Sequence, residues 1–564
     1  MYILGLNYEN HNSAAVLMKD EKIIAAGEEE RFNRFKHYTG FPSNVVNFCL
    51  NHAGIAIDDV DMVSTFHQAI STKIEKIKMF ASMGMYEIVK NEIASLKSKF
   101  QIENIKYVLE KNGFKGDYKI KFFNHHLCHA ASTFFPSGFN NSLIMTSDGR
   151  GYLTTTTVCQ GKNKEIEVLK SLSIPYSFGY IYELATRLCG FGPFNEGTTM
   201  ALAPYGKPIL KDRIKDLIPF VKTHTYFTEA YGETMSDLVL NPVEMYELTF
   251  KKLSKSEREK IEEFRKYKRE DIAASVQAWL EEEVKFILKQ YSNVSGNLCL
   301  AGGTFLNCIL NSKLKQFFKN IFIPPCTYDN GIALGAAILA NDGKCENITH
   351  AFFGPEFSSN YIENVLSNKK VYEFTKLKKF GNKIKYEKSN HKHAAELLKE
   401  GKIVGWFQGR SEFGPRALGN RSILIDPSRL DLKGRLNKEV KKRESFRPYA
   451  PSILEKYFGD YFENPYPSPF MILSFQVKRG KWKEIPAVIH VDGTARVQTV
   501  TKEANEKYYN LIDSFRGLTG LPLVLNTSFN LRGEPIINSP EEALRILYNT
   551  GMDVLFIGNF VIYK

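Results

Sequence analysis

The sequence predicts an α/β protein of more than one domain, and three features lead there: strand and helix patterns alternate, strands break into glycine turns, and the chain has 564 residues. Single hydrophobic cores stop growing at roughly 250–300 residues, so two or three domains are expected. MYILGLN, SAAVLM and KIIAAGEE read as three strands joined by turns, and SNVVNFCLNHAG reads as a helix. DMVSTF, KIKFFN and SLIMTSDG read as further strands. EDIAASVQAWLEEEVKFILKQY carries apolar residues at helical spacing and predicts a long amphipathic helix, followed by a buried strand and glycine turn, NLCLAGG. Alternation of this kind argues for layered helices and sheets.

Residues Ser71 to Asn112 and Lys207 to Arg269 are charged and helical in pattern, and read as insertions on a core. The pattern weakens between about Asn341 and Lys385 into turns and lysine-rich stretches. A boundary is expected near residue 375, giving domains 1–375 and 376–564, the second opening on HKHAAELLKEG. No apolar run reaches the roughly 18 residues a membrane span needs. The start, MYILGLNYENHNSAAV, has no basic stretch before its short apolar run and does not read as a signal peptide. The eight cysteines are scattered with no CxxC pair, which argues against a zinc ribbon or a disulfide framework and fits reduced thiols in a cytoplasmic protein. The net charge of +13 fits either a polyanionic partner or lysine-rich solvated faces.

NHHLCHAASTFF places His125 and His129 four apart, on one face of a helix, the geometry of a two-histidine metal site. SLIMTSDGRG ends an apolar run in Asp148 before a glycine turn, where a carboxylate serves a metal, a phosphate or the turn itself. LCLAGGTFLN breaks into Gly302 and Gly303, which let backbone approach a nucleotide closely. IPPCTYDNGIALGAA offers Asp329 as a second carboxylate or as the N-cap of a small-residue helix.

In order, GLNYENHNSAAV, EEERFNRFKH, HHLCHA, SDGRG, EGTTMALAPYG, AGGTFLN and YDNGIALGAA closely resemble the nodulation-factor and antibiotic O-carbamoyltransferase family. The resemblance implies an actin-like ATPase-type fold for the first half, related to the tRNA threonylcarbamoyl-transfer enzymes. It implies Fe(II) or a similar divalent metal at the positions matching His125, His129, Asp148 and Asp329. The nucleotide part of a carbamoyl-adenylate is expected at Glu196, Gly302, Gly303 and Asn307. His11, with Asn12 and Ser13, matches a phosphate-type loop, and Arg34, Lys36 and His37 match a basic motif; His11, Arg34 and Lys36 are the catalytic candidates there. One departure stands out: the family reads EGKxMGLAPYG, whereas this chain has Thr198 and Ala201 in EGTTMALAPYG.

In the second half, KIVGWFQGRSEFGPRALGNRSILIDP sets Arg410, Glu412, Arg416 and Arg421 around tight glycine turns. NKEVKKRESFRPYAPS adds Lys441, Arg443 and Arg447, HVDGTARVQTV adds Arg496, and LVLNTSFNLRGEPI adds Asn526, Ser528, Asn530 and Arg532. Arginine this dense beside glycine suits phosphate, which needs fixed bidentate donors and close backbone. These stretches resemble the threonylcarbamoyl-adenylate synthases. The resemblance implies that ATP, with Mg, and carbamoyl phosphate meet here. Arg416, Lys441 and Arg496 are the catalytic candidates, and Arg410, Arg421, Arg447, Ser528 and Asn530 the nucleotide-binding ones.

The expected activity is ATP-dependent O-carbamoyl transfer through carbamoyl-adenylate to a hydroxylated acceptor, with a sugar-kinase-like ATPase as the alternative reading of the first half. Two acceptor classes stand open: a small metabolite or sugar, and a hydroxymethyl pyrimidine such as 5-hydroxymethylcytosine in DNA. Lysine-bearing segments such as KLKKFGNKIKYEKSNHK favour the second. Oligomeric state is not legible.

Overall fold

The structure is a computed structural model that describes residues 1–8, 11–66, 101–221, 250–368 and 384–564. Much of the two expected insertions, and the expected boundary at 375, lie outside the described residues. The strands are β1 Tyr2–Asn7, β2 Ala14–Lys19, β3 Lys22–Glu28, β4 Met62–Phe66, β5 Lys119–Phe123, β6 Asn141–Gly151, β7 Thr154–Lys162, β8 Glu165–Ser173, β9 Asn297–Ala301 and β10 Asn320–Phe322. They are followed by β11 Tyr386–Lys388, β12 Val404–Phe407, β13 Arg421–Ile425, β14 Ala450–Leu454, β15 Leu473–Gln476, β16 Thr494–Val500, β17 Leu523–Ser528, β18 Val554–Ile557 and β19 Phe560–Tyr563. The helices used below are α1 Ser43–Ala53, α2 His125–Phe134, α3 Phe178–Leu188, α4 Glu196–Leu202, α5 Arg269–Lys289, α6 Cys308–Lys315, α7 Asn330–Ala340, α8 His391–Lys399, α9 Glu506–Thr519 and α10 Pro540–Asn549.

The first sheet has the order β3-β2-β1-β4-β5, with β1, β4 and β5 parallel. The second has the order β10-β9-β6-β7-β8; β6, β9 and β10 are parallel, and β7 is antiparallel to both β6 and β8. Counted from the first strand of each sheet, both follow the order third, second, first, fourth, fifth. That duplicated order is the actin-like ATPase arrangement. The third sheet has nine strands of mixed direction, β11-β19-β18-β12-β13-β17-β14-β16-β15. The expected α/β class is the observed one.

By packing, the chain forms two compact units, one of Met1–Asn7, Leu17–Lys22 and Ile55–Asn347, the other of Tyr8–Val16, Ile23–Gly54 and Ile348–Lys564. In the first unit α7, NGIALGAAILA, is buried along most of its length. Its small residues explain why it packs so closely. A Cβ on Gly335 would overlap the Cys128 carbonyl of α2, and one on Gly5 would overlap the Ala333 carbonyl. Glycine and alanine therefore bring α7 backbone against both α2 and β1, and this places the ends of α2 and α7 beside each other.

In the second unit α8 and α9 cover one face of the nine-stranded sheet. Asn390 caps α8 by accepting from Lys392 N and His393 N, and Asn505 caps α9 through Tyr508 N. Leu398, Leu511, Ile512 and Phe515 then bury fully against Val404, Trp406, Val524 and Phe556. Each such side chain contributes about 1.5–3 kcal/mol of transfer free energy.

Candidate active site

α2 begins at His125, capped by Asn124, whose side chain accepts from Leu127 N at 3.2 Å. The four-residue spacing puts His125 and His129 on one face, ring centroids 4.8 Å apart. Gly151 makes room for them, because a Cβ there would overlap the His125 imidazole. Asp148 comes from β6, where pairing with β7 slips register between Ser147 and Gly151. Such irregularities re-aim a side chain, and the Asp148 carboxylate meets the histidine pair. Its Oδ2 lies 3.2 Å from His129 Nε2 and 3.8 Å from His125 Nε2.

Asp329 stands at the N-cap position of α7 but its side chain makes no cap hydrogen bond. Its Oδ1 is instead 3.6 Å from His129 Nε2. Asp329 therefore does not act as a side-chain cap, and its carboxylate faces the histidine pair instead. All four residues are buried, and their donor atoms lie within 4.8 Å of one another.

Burial opposes ionisation at this group, but partners overcome it. Burial would lower the His129 imidazole, yet hydrogen bonds and charge from Asp148 and Asp329 push it up to about 9. Burial would raise Asp148, yet His125 and His129 hold it well below the carboxylate range. Neither ring nitrogen of buried His125 has a hydrogen-bond partner, nor does His129 Nδ1. Buried polar atoms are rarely left so. Two imidazoles and two carboxylates gathered this closely in a buried group fit a divalent transition metal.

Sequence reasoning passed over His126. It is buried, with Nδ1 2.8 Å from Thr146 Oγ1 and Nε2 3.0 Å from Thr154 O. The carbonyl can only accept, so Nε2 carries the proton and Nδ1 accepts from Thr146. Burial and the neighbouring histidines push it down to about 3, so it stays neutral and ties α2 to β6 and β7. The doubled histidine in HHLCHA is the only signal for it in the sequence.

The glycine turn lies against the same group. Gly302 has φ +98, and a Cβ on it would overlap Ser147 O, so β9 ends with its backbone on β6. A Cβ on Gly303 would stand 2.9 Å from Asp148 Oδ1. Asn307 caps α6 through Leu310 N at 3.0 Å and exchanges amide hydrogen bonds with Gln277 of α5. Gln277 also accepts from Tyr182 of α3 at 2.9 Å, and the charge of Glu196, first residue of α4, reaches that tyrosine. Hydrogen bonds thus join Asn307 to Gln277 and Gln277 to Tyr182. Thr198 and Ala201 are buried in α4.

In the second unit, Leu436–Lys441 winds as a π-helical turn, a form frequent at functional sites. Lys441 Nζ is buried and donates to Ser528 O at 2.7 Å, Asn530 Oδ1 at 2.8 Å and Asn530 O at 3.0 Å. Burial, then the charges of Arg443, Arg447 and Lys36, hold it well below the usual lysine range. Burial, then Arg443, lowers Arg447 to about 10, with a further contribution from Arg496. Of these cations it is Lys441 that bonds Ser528 and Asn530, while the charges of Lys36, Arg443 and Arg447 reach it and that of Arg496 reaches Arg447. The nearby acid, Glu444, pairs with Arg532 at 2.9 Å.

Other expected residues hold backbone. Arg34 donates to Pro535 O and Ile536 O, both at 2.8 Å, and pairs with Glu542 of α10 at 2.9 Å. Arg410 donates to Ile24 O at 2.9 Å, Gly354 O at 3.1 Å and Phe353 O at 2.5 Å. Arg421 is fully buried, lies 3.7 Å over the Phe407 ring, and donates to Gln408 O, Gly409 O, Asn420 O and Pro355 O. His11 Nδ1 lies 2.6 Å from Asn12 Oδ1. Arg416 is half-buried on the turn before β13.

The family model described as carbamoyltransferase N-terminus matches residues 2–338, and the one described as carbamoyltransferase C-terminus matches residues 395–564. This chain belongs to the carbamoyltransferase family. It is an enzyme of that type. Among its relatives, an uncharacterized Synechocystis protein is 37% identical across all of this chain and 97% of its own length. Nodulation protein NolNO of Sinorhizobium fredii is 35% identical over 98% of this carbamoyltransferase and 79% of its own length. Nodulation protein NolO of Bradyrhizobium diazoefficiens is 37% identical over 78% of this chain and 79% of its own. A solved structure of full-length HypF in its phosphate- and nucleotide-bound form is 15% identical, covering 60% of this chain and 46% of its own, at a TM-score of 0.29. A score that low supports no conclusion here. Among the described residues, no helix is long and apolar enough to cross a membrane.

Proposed function

We propose that this carbamoyltransferase makes carbamoyl-adenylate from carbamoyl phosphate and ATP in its second unit and passes the carbamoyl group to an acceptor hydroxyl in its first. The observation that carries the reading is the buried group His125, His129, Asp148 and Asp329, its four donor atoms within 4.8 Å of one another and both ring nitrogens of His125 without a hydrogen-bond partner, in a chain of this family. These four residues would hold Fe(II) or a similar divalent metal, which supplies Lewis acidity for a carbonyl or a hydroxyl. Glu196, Gly302, Gly303 and Asn307 would hold the nucleotide part of the adenylate.

The mutually acting cations Lys36, Lys441, Arg443, Arg447 and Arg496, with Glu444 as the acid paired to Arg447 at 3.8 Å, support the first half-reaction, because phosphate groups need several fixed positive charges. Carbamoyl phosphate is hydrolysed to carbamate and phosphate. A carbamate oxygen then attacks the α-phosphorus of ATP, and pyrophosphate leaves with the electron pair. Mg carried with ATP and the fixed arginines would neutralise the charge that develops on the phosphates. In the second half-reaction the acceptor oxygen attacks the carbamoyl carbon, AMP leaves, and the hydroxyl proton passes to a base.

The acceptor we assign is a small hydroxylated metabolite or a sugar. The net charge of +13 favours a second reading, a hydroxymethyl pyrimidine such as 5-hydroxymethylcytosine in DNA, bound through its phosphates. Incubation with carbamoyl phosphate, ATP and both acceptor classes, read by mass for added carbamoyl, tests the proposal. Pyrophosphate and AMP formed only with carbamoyl phosphate support it. ADP formation on a sugar without carbamoyl phosphate would instead make the chain a kinase.

A further inference from the structure

The turn that carries Arg416 is held from beneath by buried side chains that take no part in the chemistry assigned above. It joins β12 to β13 and runs through the sequence EFGPRALGN. Glu412 is 1% exposed, and its Oε1 accepts three backbone N–H groups, from Leu418 at 2.8 Å, Asn420 at 2.9 Å and Arg421 at 3.2 Å. The carbonyls of the same turn are held from the sheet. Asn526 Nδ2 of β17 donates to Ala417 O at 3.1 Å, and Gln498 Nε2 of β16 donates to Leu418 O at 2.8 Å. Those two amides are linked in turn, since Gln498 Oε1 accepts from Asn526 Nδ2 at 3.2 Å and from Ser452 Oγ of β14 at 2.6 Å. Asn526 and Gln498 are 1% and 4% exposed.

Five backbone groups between Ala417 and Arg421 are therefore fixed by three buried side chains. A carboxylate that gathers several N–H groups of a short turn sets the conformation of that turn, and leaving those donors unpaired in a dry site is costly. Polar residues in the middle of a sheet otherwise weaken a core. Here they extend the core into the turn between β12 and β13 that carries the half-buried Arg416.

We propose that Glu412, supported by Gln498 and Asn526, is the positioning residue for Arg416: it holds the turn so that the Arg416 guanidinium meets a phosphate group in adenylate formation. This rests on the adenylation reading of the second unit. The inference concerns how the turn is held, and it singles out Glu412, whose side chain touches backbone only.

The variants follow from the geometry. Glu412 Oε2 is buried with no hydrogen-bond partner. Glu412→Gln can therefore place its NH2 on that side and keep an acceptor for the three N–H groups. Glu412→Ala removes the acceptor altogether. The readout is carbamoyl-phosphate-dependent pyrophosphate release, with kcat and KM separated, in wild type, Glu412→Gln, Glu412→Ala, Arg416→Ala and Glu412→Ala/Arg416→Ala. Thermal denaturation of each variant accompanies it.

Displacing a binding group by an ångström costs about 10²-fold, so Glu412→Ala should lower kcat/KM for carbamoyl phosphate by about that factor. Glu412→Gln should remain within about threefold of wild type, as expected where the hydrogen bonds are kept. With Arg416 already removed, Glu412→Ala should cost no more than about threefold further, because there is no arginine left to misplace. If Glu412→Ala is too unstable to assay, Asn526→Ala, which frees one carbonyl of the turn, Ala417 O, and also loses the bonds to Ser452 and Gln498, replaces it in the same cycle with a smaller loss. A loss of equal size with and without Arg416 overturns the proposal, as does full activity in Glu412→Ala. Wild-type enzyme that releases no pyrophosphate with carbamoyl phosphate would instead overturn the adenylation reading itself.

Discussion

Gly303→Ala tests the metal group without touching a ligand. The added Cβ would stand 2.9 Å from Asp148 Oδ1, with its next neighbour, Asp148 Cγ, at 3.9 Å. Ordinary Cβ contacts begin at 3.4 Å, so the carboxylate or the turn has to yield by about half an ångström. Metal–ligand distances tolerate only about 0.2 Å. The displaced carboxylate already faces His129 at 3.2 Å and accepts from Gly149 N at 2.9 Å, so it cannot move alone. Metal affinity should therefore fall by about 10–100-fold, the range seen when a ligand's support is disturbed. That is about 1.4–2.7 kcal/mol. The metal-free fold should hardly change, because Gly303 has no left-handed φ to lose and alanine restricts the unfolded chain by about 0.4–1 kcal/mol. The assay is a competition titration of Zn(II) or Co(II) against a chelator, beside thermal denaturation of the metal-free proteins. Unchanged metal affinity in a folded Gly303→Ala protein would refute the placement of Asp148 as a ligand.

Arg421→Met should destabilise the second unit by about 3–5 kcal/mol in chemical denaturation, because four carbonyls lose their buried cationic donor; a change under about 1 kcal/mol would show the site to be open to water. His37 adds a pH dependence. Burial, then Lys36 and His11, lower it to about 3, so it is neutral when folded. Below the unfolded value near 6.5 the unfolded chain binds the extra proton, and stability falls by about 1.4 kcal/mol per pH unit until the folded group titrates. Wild type should lose about 1 kcal/mol more stability than His37→Gln between pH 6.5 and 5.5, where the unfolded imidazole goes from half to nearly fully protonated. Equal losses would contradict the buried neutral state.

The strands and the long helices were legible because their patterns are local. The histidine pair was legible for the same reason, as four-residue spacing fixes a shared helix face. Asp329 was reached only through the family resemblance, since a residue that opens a helix looks like a cap whether or not its carboxylate turns back to cap, and it is α2 lying against α7 that brings its carboxylate to the histidines. Arginine density had the same ambiguity. Arg410 and Arg421 stand beside glycines as Arg416 does, yet their guanidiniums go to backbone carbonyls, including those of Pro355 for Arg421 and of Gly354 and the distant Ile24 for Arg410, which no local window contains. The grouping of Tyr8–Val16 and Ile23–Gly54 with Ile348–Lys564 is likewise long-range packing that no window of sequence contains. Glu412 and Gln498 hide for another reason: buried polar side chains in a core strand or tight turn resemble surface residues until their partners are seen.

The central claim, two half-reactions on two separate groups of residues, is tested most directly by measuring both half-reactions on His125→Ala. His125 belongs to the buried metal group and its ring nitrogens have no hydrogen-bond partner to lose. The account predicts that carbamoyl-phosphate-dependent pyrophosphate release stays near the wild-type rate. It predicts that transfer to the acceptor falls by about 10³-fold or more, the scale of losing several kcal/mol of Lewis-acid stabilisation. Loss of both half-reactions to the same extent, in a folded protein, would contradict it.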